Sequence, residues 1–304
     1  MRLGTRGSSL ALWQATWVRD RLAERGVEAE IVVIKTRGDA EVDRPLQELE
    51  GKGFFTKEIE EALLAGRIDV AVHSLKDLPT RLPDGLALGA VPRRAAVVDV
   101  LVARAGSVSS LAALPPGTRL GTSSVRRVAQ VKHLRADLEV VPLRGNVPTR
   151  VKKVRDGTEL DAALLAAAGL ERLGLGDAIS VRLDPLEVMP PPAQGALGLE
   201  IRADDRAARE ALGPLADPQT ALHVAAERAL LAALGGGCQT PVAAYAGPRE
   251  PGDGGTWLYG RVTAPDGSVQ LTASTAFDGR DPGDVGAEVA RLLLEQGAQR
   301  FLAR

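Results

Sequence analysis

Residues 121–150, GTSSVRRVAQVKHLRADLEVVPLRGNVPTR, constrain the fold more than any other stretch because they repeat one unit twice. A short apolar strand enters a turn of small residues, and the turn enters a helix start that carries arginine. The first turn is Gly121-Thr122-Ser123-Ser124 ahead of Arg126 and Arg127; the second is Arg144-Gly145-Asn146 ahead of Pro148, Thr149 and Arg150. Free N–H groups at a helix N-terminus attract anions, and neighbouring hydroxyls add donors. A guanidinium matches a carboxylate or phosphate. Two such turns in tandem read as a wall holding several anionic groups, or as two ordinary capped helices with solvated arginines.

At 304 residues the chain has room for two or three domains. Its formal net charge is −1, so the arginine clusters are local features of a near-neutral chain. With 3% aromatic residues it also lacks the basic face and stacking rings of a nucleic-acid binder. No apolar run approaches the ~20 residues of a membrane span, and the first ten residues lack a signal-peptide core. One cysteine allows no intramolecular disulfide. The expectation is a cytoplasmic protein with neither a membrane nor a nucleic-acid partner.

The rest of the chain continues the alternation. Strands are predicted over 2–6, 30–35 (buried), 68–72 and 86–91. A helix from Ser8 or Ser9 to near Gly26 carries Leu10, Trp13, Trp17 and Leu22 on one face, and another over 54–65 stops at Gly66. Residues 36–53 have no apolar period and read as a mobile, functional loop. Val97–Ala103 opens a second unit of the same kind, with strands over 119–121, 138–143 and 160–166 and helices over 124–135, 148–155 and 167–173. A proline-rich segment ends it, and Gly195–Ile201 then reads as a strand returning to the first lobe. A chain that crosses twice between α/β lobes predicts a hinge and a cleft. Beyond Asp217, a helix over 218–234, strands near 242–246, 256–263 and 268–276, the turn Pro265-Asp266-Gly267 and a last helix over 282–303 predict a small α+β domain. The expected class is α/β, with lobe 1 over 1–93 and 191–212, lobe 2 over 97–187, and the C-terminal domain over 216–304.

His73, His133 and His223 lie far apart, and one cysteine cannot complete a cluster, so no metal site is expected. The patterns G-x-S-x-G and G-x-x-x-x-G-K-[ST] are absent. Asp77, in the polar loop His73–Pro79 after a buried strand, reads as a turn cap. Facing arginines, it would instead stay ionised and steady a developing cation. Cys238 follows three glycines at a helix C-terminus, where the dipole disfavours a thiolate. It reads as inert packing, or as a one-time attachment point for a reactive electrophile.

Eight segments appear in an order that resembles the signature blocks of the porphobilinogen deaminase, or hydroxymethylbilane synthase, family. They are TRGSSLALWQA (5–15), GKGFFTKE (51–58), HSLKDLP (73–79), GTSSVRR (121–127), LRGNVPTR (143–150), AGLERLG (168–174), AQGALGLE (193–200) and GGGCQTP (235–241). The resemblance implies two lobes like those of periplasmic binding proteins and a third domain carrying a cofactor cysteine. It implies a monomeric transferase of tetrapyrrole (haem) biosynthesis that condenses four porphobilinogen molecules into hydroxymethylbilane with loss of ammonia. It also implies a dipyrromethane cofactor in thioether linkage to Cys238, and no metal. Asp77 resembles the catalytic aspartate. Ser74, Lys76, Thr122, Ser124, Arg126, Arg127 and Gly145 match cofactor-holding positions. Arg6, Ser8, Arg144, Arg150, Arg172 and Gln194 match the substrate- and chain-binding set, and Lys52 and Phe55 match the lid. The rival reading is a non-catalytic bilobed anion- or solute-binding protein, which leaves Asp77 and the cysteine loop unexplained.

Overall fold

The computed structural model describes residues 1–36, 56–104, 108–157, 159–237, 240–248 and 255–302. All but the first residue of the predicted loop over 36–53 lies outside them, as do Lys52, Phe55 and Cys238. The first elements are β1 (Arg2–Thr5), α1 (Ser9–Ala23), β2 (Glu30–Val33), α2 (Lys57–Leu64), β3 (Val70–Ser74) and β4 (Leu86–Ala90). Then come β5 (Asp99–Ala103), β6 (Arg119–Gly121), α3 (Val125–Leu134), β7 (Glu139–Val141), α4 (Val147–Asp156), β8 (Ala162–Ala166), α5 (Ala167–Arg172) and β9 (Val181–Arg182). The last are β10 (Leu197–Arg202), α6 (Arg206–Leu212), α7 (Pro218–Ala233), β11 (Val242–Gly247), β12 (Trp257–Thr263), β13 (Gln270–Ala276) and α8 (Pro282–Glu295). The chain forms two compact units, residues 1–95 with 195–221 and residues 96–194 with 222–304.

Unit 1 is built on a five-stranded sheet in the order β2-β1-β3-β10-β4. Strands β1, β2 and β3 are parallel, and β10 is antiparallel to both of its neighbours. Successive side chains of a strand point to opposite faces. Val72 accordingly packs with Val18 and Leu22 of α1, while Ala71 packs with Ile59 and Leu63 of α2. Two structural differences from expectation have simple causes. The buried face of α1 is Gln14, Ala15, Val18 and Leu22 rather than Leu10, Trp13, Trp17 and Leu22. The smaller row lets the helix approach the sheet closely, and the half-buried Trp17 covers the margin of that core. The predicted buried strand over 30–35 is the edge strand β2, whose Glu30 and Val33 are exposed because it has one neighbour.

Unit 2 contains a second five-stranded sheet, β7-β6-β8-β5-β9. Here β6 is parallel to β7 and β8, and β5 is antiparallel to β8 and β9. The two sheets therefore match position for position, each with an antiparallel fourth strand. In each sheet that strand, β5 or β10, is the first one reached after the chain crosses between units. Unit 2 also holds the antiparallel sheet β11-β12-β13, with α7 and α8 supplying Ala226, Leu230, Val285, Val289 and Leu293 to a core shared with Leu258 and Val262. The last helix stops at Glu295, short of the predicted 303, because Gly297 turns left-handed (φ +90°) and a 3-10 turn follows over Ala298–Phe301. The architecture is mixed α/β.

Candidate functional site

In unit 1 the parallel β1 and β3 end at one edge of their sheet. Arg6 and Ser8 follow β1, and the Ser8 hydroxyl accepts the Ala11 N–H (3.3 Å) to begin α1. Ser74 ends β3 and leads into a 3-10 turn, Leu75–Asp77. Leu75 and Leu78 are buried and the Leu75 N–H donates to the Ala196 carbonyl (3.0 Å), so the turn is pegged by its leucines. That leaves Lys76 half-buried and Asp77 exposed. Gln14 Nε2 donates to Ser74 Oγ (2.8 Å), holding the hydroxyl from α1. These residues line a cavity of about 80 Å³ with Arg6, Ser8, Gln14, Thr56, His73, Ser74 and Asp77 in its wall. Behind it, His73 Nε2 and Glu200 Oε2 are hydrogen-bonded at 3.1 Å, both side chains buried. Burial pushes the nearby Glu60 carboxyl above its ordinary pKa.

In unit 2 the parallel β6, β7 and β8 bring three helix starts to one sheet edge. The two turns read as tandem devices are neighbours and are stitched together. Thr122 N donates to Val141 O (2.9 Å), and Ser123 Oγ both donates to Leu143 O (2.9 Å) and accepts from Leu143 N (3.0 Å). Ser124 stands at the N-cap position of α3 without a side-chain cap bond. Asn146 caps α4 by accepting from Thr149 N (2.9 Å), with Pro148 in the first turn. Gly145 has φ +105°, and a Cβ there would lie 2.8 Å from Thr149 Cγ2, so only glycine fits. Arg150 Nε reaches back to Gly145 O (2.7 Å), and Arg144 is half-buried beside it in sequence.

Arg126 and Arg127 are not solvated: they are 4% and 7% exposed. Because β5 runs antiparallel, its first residue, Asp99, sits opposite Ala166 at the carboxyl end of β8, the same edge as the helix starts. The Asp99 carboxylate accepts from Arg126 Nη2 (2.7 Å), Arg127 Nε (2.9 Å), Arg127 Nη2 (2.7 Å) and Gln194 Nε2 (2.7 Å). Four donors fill the acceptor sites of one carboxylate. Burial would raise its pKa, but the two guanidiniums overcome that and hold it well below the usual carboxylate range. Burial pulls Arg126 down against the pull of Asp99, and pulls Arg261 on β12 to about 10 with help from Arg126. Arg172, half-buried at the far end of α5, is likewise drawn to about 10 by burial, offset by Glu171.

The node thus sets two guanidiniums, of Arg126 and Arg127, against the single Asp99 carboxylate. Arg126 Nε is buried with no hydrogen-bond partner, a situation that costs ~1–3 kcal/mol. Surplus positive charge and an orphaned N–H fit a bound molecule that brings carboxylates. Among the described residues no group of His, Cys, Asp and Glu is arranged to hold a metal ion.

Of the residues singled out in the sequence, Arg6, Ser8, Ser74 and Asp77 meet at the unit 1 cavity, with Lys76 in the same turn. Thr122, Ser124, Arg126, Arg127, Gly145 and Gln194 belong to the unit 2 edge. Sequence reasoning missed Gln14, which holds Ser74, and Asp99, which gathers the arginines. A lone acid heading the apolar run DVLVA was the available signal for Asp99.

Frame and side chains together define a mixed α/β protein with polar and cationic side chains gathered at the carboxyl ends of its parallel strands. Residues 1–210 match the family model described as "porphobilinogen deaminase, dipyromethane cofactor binding domain", and residues 221–295 match "porphobilinogen deaminase, C-terminal domain". The chain belongs to the porphobilinogen deaminase family. It is 45% identical to the porphobilinogen deaminase of Syntrophobacter fumaroxidans, over 99% of this chain and 96% of that one. It is 48% identical to that of a Roseiflexus species, over 99% of this chain and 98% of the relative. Among solved structures, an ancestral cationic amino acid solute binding protein is similar over 71% of this chain and 87% of its own, at 19% identity and a TM-score of 0.45.

Proposed function

We propose that Asp77 is the catalytic carboxylate of the family's deaminating condensation and that the arginine node of unit 2 binds the cofactor's acid groups. The reaction joins four porphobilinogen molecules head to tail into hydroxymethylbilane and releases ammonia, a transferase step of tetrapyrrole biosynthesis. Bound through a thioether to Cys238, a dipyrromethane cofactor would supply the α-carbon from which the chain grows. The remaining chemistry belongs to side chains. Ammonia leaving the substrate's aminomethyl group creates a cation, and a fixed carboxylate beside it lowers the barrier. Arg6 and Ser8 line the cavity with Asp77 and bind substrate carboxylates, each charged hydrogen bond contributing ~1.5–3 kcal/mol. Gln14 and the Leu75 peg hold Ser74 and the turn, so the groups are oriented before substrate arrives. Arg144, Arg150 and Arg172 take further carboxylates of the chain, with Thr122, Ser124, Lys76 and Gly145 on the cofactor, Gln194 on the chain, and Lys52 and Phe55 in the lid.

The observation that supports this reading best is an exposed aspartate on a leucine-pegged turn, sharing a cavity wall with Arg6 and Ser8. The enzyme acts as a cytoplasmic monomer without nucleic-acid or membrane partners. Among the described residues no helix is long and apolar enough to cross a membrane, and light scattering should return the mass of one chain. For the chemistry, Asp77→Asn should leave porphobilinogen binding within about threefold and reduce turnover by ~10²-fold or more. Near-normal ammonia release by that variant removes Asp77 from the role. A solute-binding protein would instead bind porphobilinogen and release no ammonia.

A further inference from the structure

The proline-rich segment between β9 and β10 is held from two sides. From the C-terminal sheet, Arg261 on β12 donates to Leu186 O (2.7 Å) and Glu187 O (2.9 Å), and Ala244 N on β11 donates to Pro190 O (3.0 Å). Glu227 on α7 accepts from Ala193 N (2.7 Å) and Ala246 N (2.9 Å). Ala193 has φ +62°, a left-handed conformation unfavourable to any residue with a Cβ, so the segment is clamped against local strain. From the other side, Arg126 donates to the Met189 carbonyl as well as to Asp99, and Gln194 donates to Asp99 and to Val97 O (2.7 Å).

Gln130 joins the two sides. It lies one turn after Arg126 on α3 and is 1% exposed. Its Oε1 accepts from Met189 N (2.9 Å) and Arg261 Nη1 (2.9 Å), and its Nε2 donates to Met189 O (3.0 Å). One amide therefore closes a two-way pair with the Met189 backbone while anchoring a guanidinium of the C-terminal sheet.

We propose that Gln130 is a positioning residue for the cofactor-binding arginines: it fixes the Met189 carbonyl that aims Arg126, and through Arg261 it locks that aim to the C-terminal sheet. The proposal rests on reading Arg126 as a cofactor ligand. Its chemical reason is geometric. Cys238 lies in the chain between α7 and β11, so a group bonded there and gripped through its carboxylates needs both anchors on one frame. With Gln130 replaced by an apolar side chain, the Met189 peptide loses both amide partners and Arg126 keeps only Asp99 as a fixed guide.

The test is the rate at which cofactor-free protein, made in a porphobilinogen-deficient host, gains the mass of two pyrrole units on incubation with porphobilinogen. Gln130→Leu should load about tenfold more slowly than the native chain, the size expected for a lost buried amide pair. Val289→Ala, in the C-terminal core, is the control. It should lose at least as much thermal stability yet load at the native rate. Native-rate loading by Gln130→Leu overturns the proposal, as does slowing of both variants in step with their melting temperatures. If Gln130→Leu does not fold, Arg261→Met, which removes only the outer donor, is read in the same way. A native chain that never gains the two-pyrrole mass refutes the cofactor reading itself, a result distinct from either outcome.

Discussion

Three acids show how surroundings divide one chemistry into three behaviours. Asp77 is exposed on its turn, Asp99 is saturated by four donors, and Glu60 is buried beside His73 and Glu200. A carboxyl whose folded pKa is raised favours the fold while protonated and loses that contribution as pH climbs through the shifted value. Glu60→Gln should therefore raise the melting temperature at pH 7–8 and leave it nearly unchanged at pH 4. An equal gain at both values, read by calorimetry, would show that charge burial is not the cause. Gly145→Ala introduces a methyl 2.8 Å from Thr149 Cγ2 at φ +105°. It should cost ~1–3 kcal/mol and slow cofactor loading, seen as a lower rate at which cofactor-free protein gains the mass of two pyrrole units.

At the scale of elements, α4 is the clearest case of local control. Asn146 and Pro148 mark its start in the sequence as they do in the structure, and the left-handed Gly157 ends it. Asn146→Ala should cost about 1 kcal/mol, or ~2–4 °C in melting temperature, and a variant that melts like the native chain would deny the cap its role. Strand β6, helix α7 and the return of β10 to the first sheet were legible for the same reason: caps, glycines and apolar runs act over a few residues. What escaped was decided by distant partners. Nothing near Arg126 and Arg127 announces Asp99, about thirty positions earlier and delivered by an antiparallel strand. The buried face of α1 depended likewise on which row of side chains the sheet admits. The turn that carries Asp77 was legible as a polar loop after β3, and Leu75 and Leu78, beside it in sequence, are what hold it.

For the molecule as a whole, intact mass is the decisive measurement: the native chain should carry the excess of two pyrrole units, mapped to Cys238. A fully active, unmodified chain would falsify that attachment. The matched sheets carry a different implication, for biosynthesis. The second sheet uses only strands between Asp99 and Arg182, whereas the first receives its fourth strand from Leu197–Arg202. A ribosome moving from the N-terminus therefore finishes the later sheet sooner, and β3 and β4 wait with facing edges open until β10 emerges. A released fragment of residues 1–194 should be cut by protease within residues 1–95 yet resist it across 96–182, and extension to residue 221 should abolish the difference.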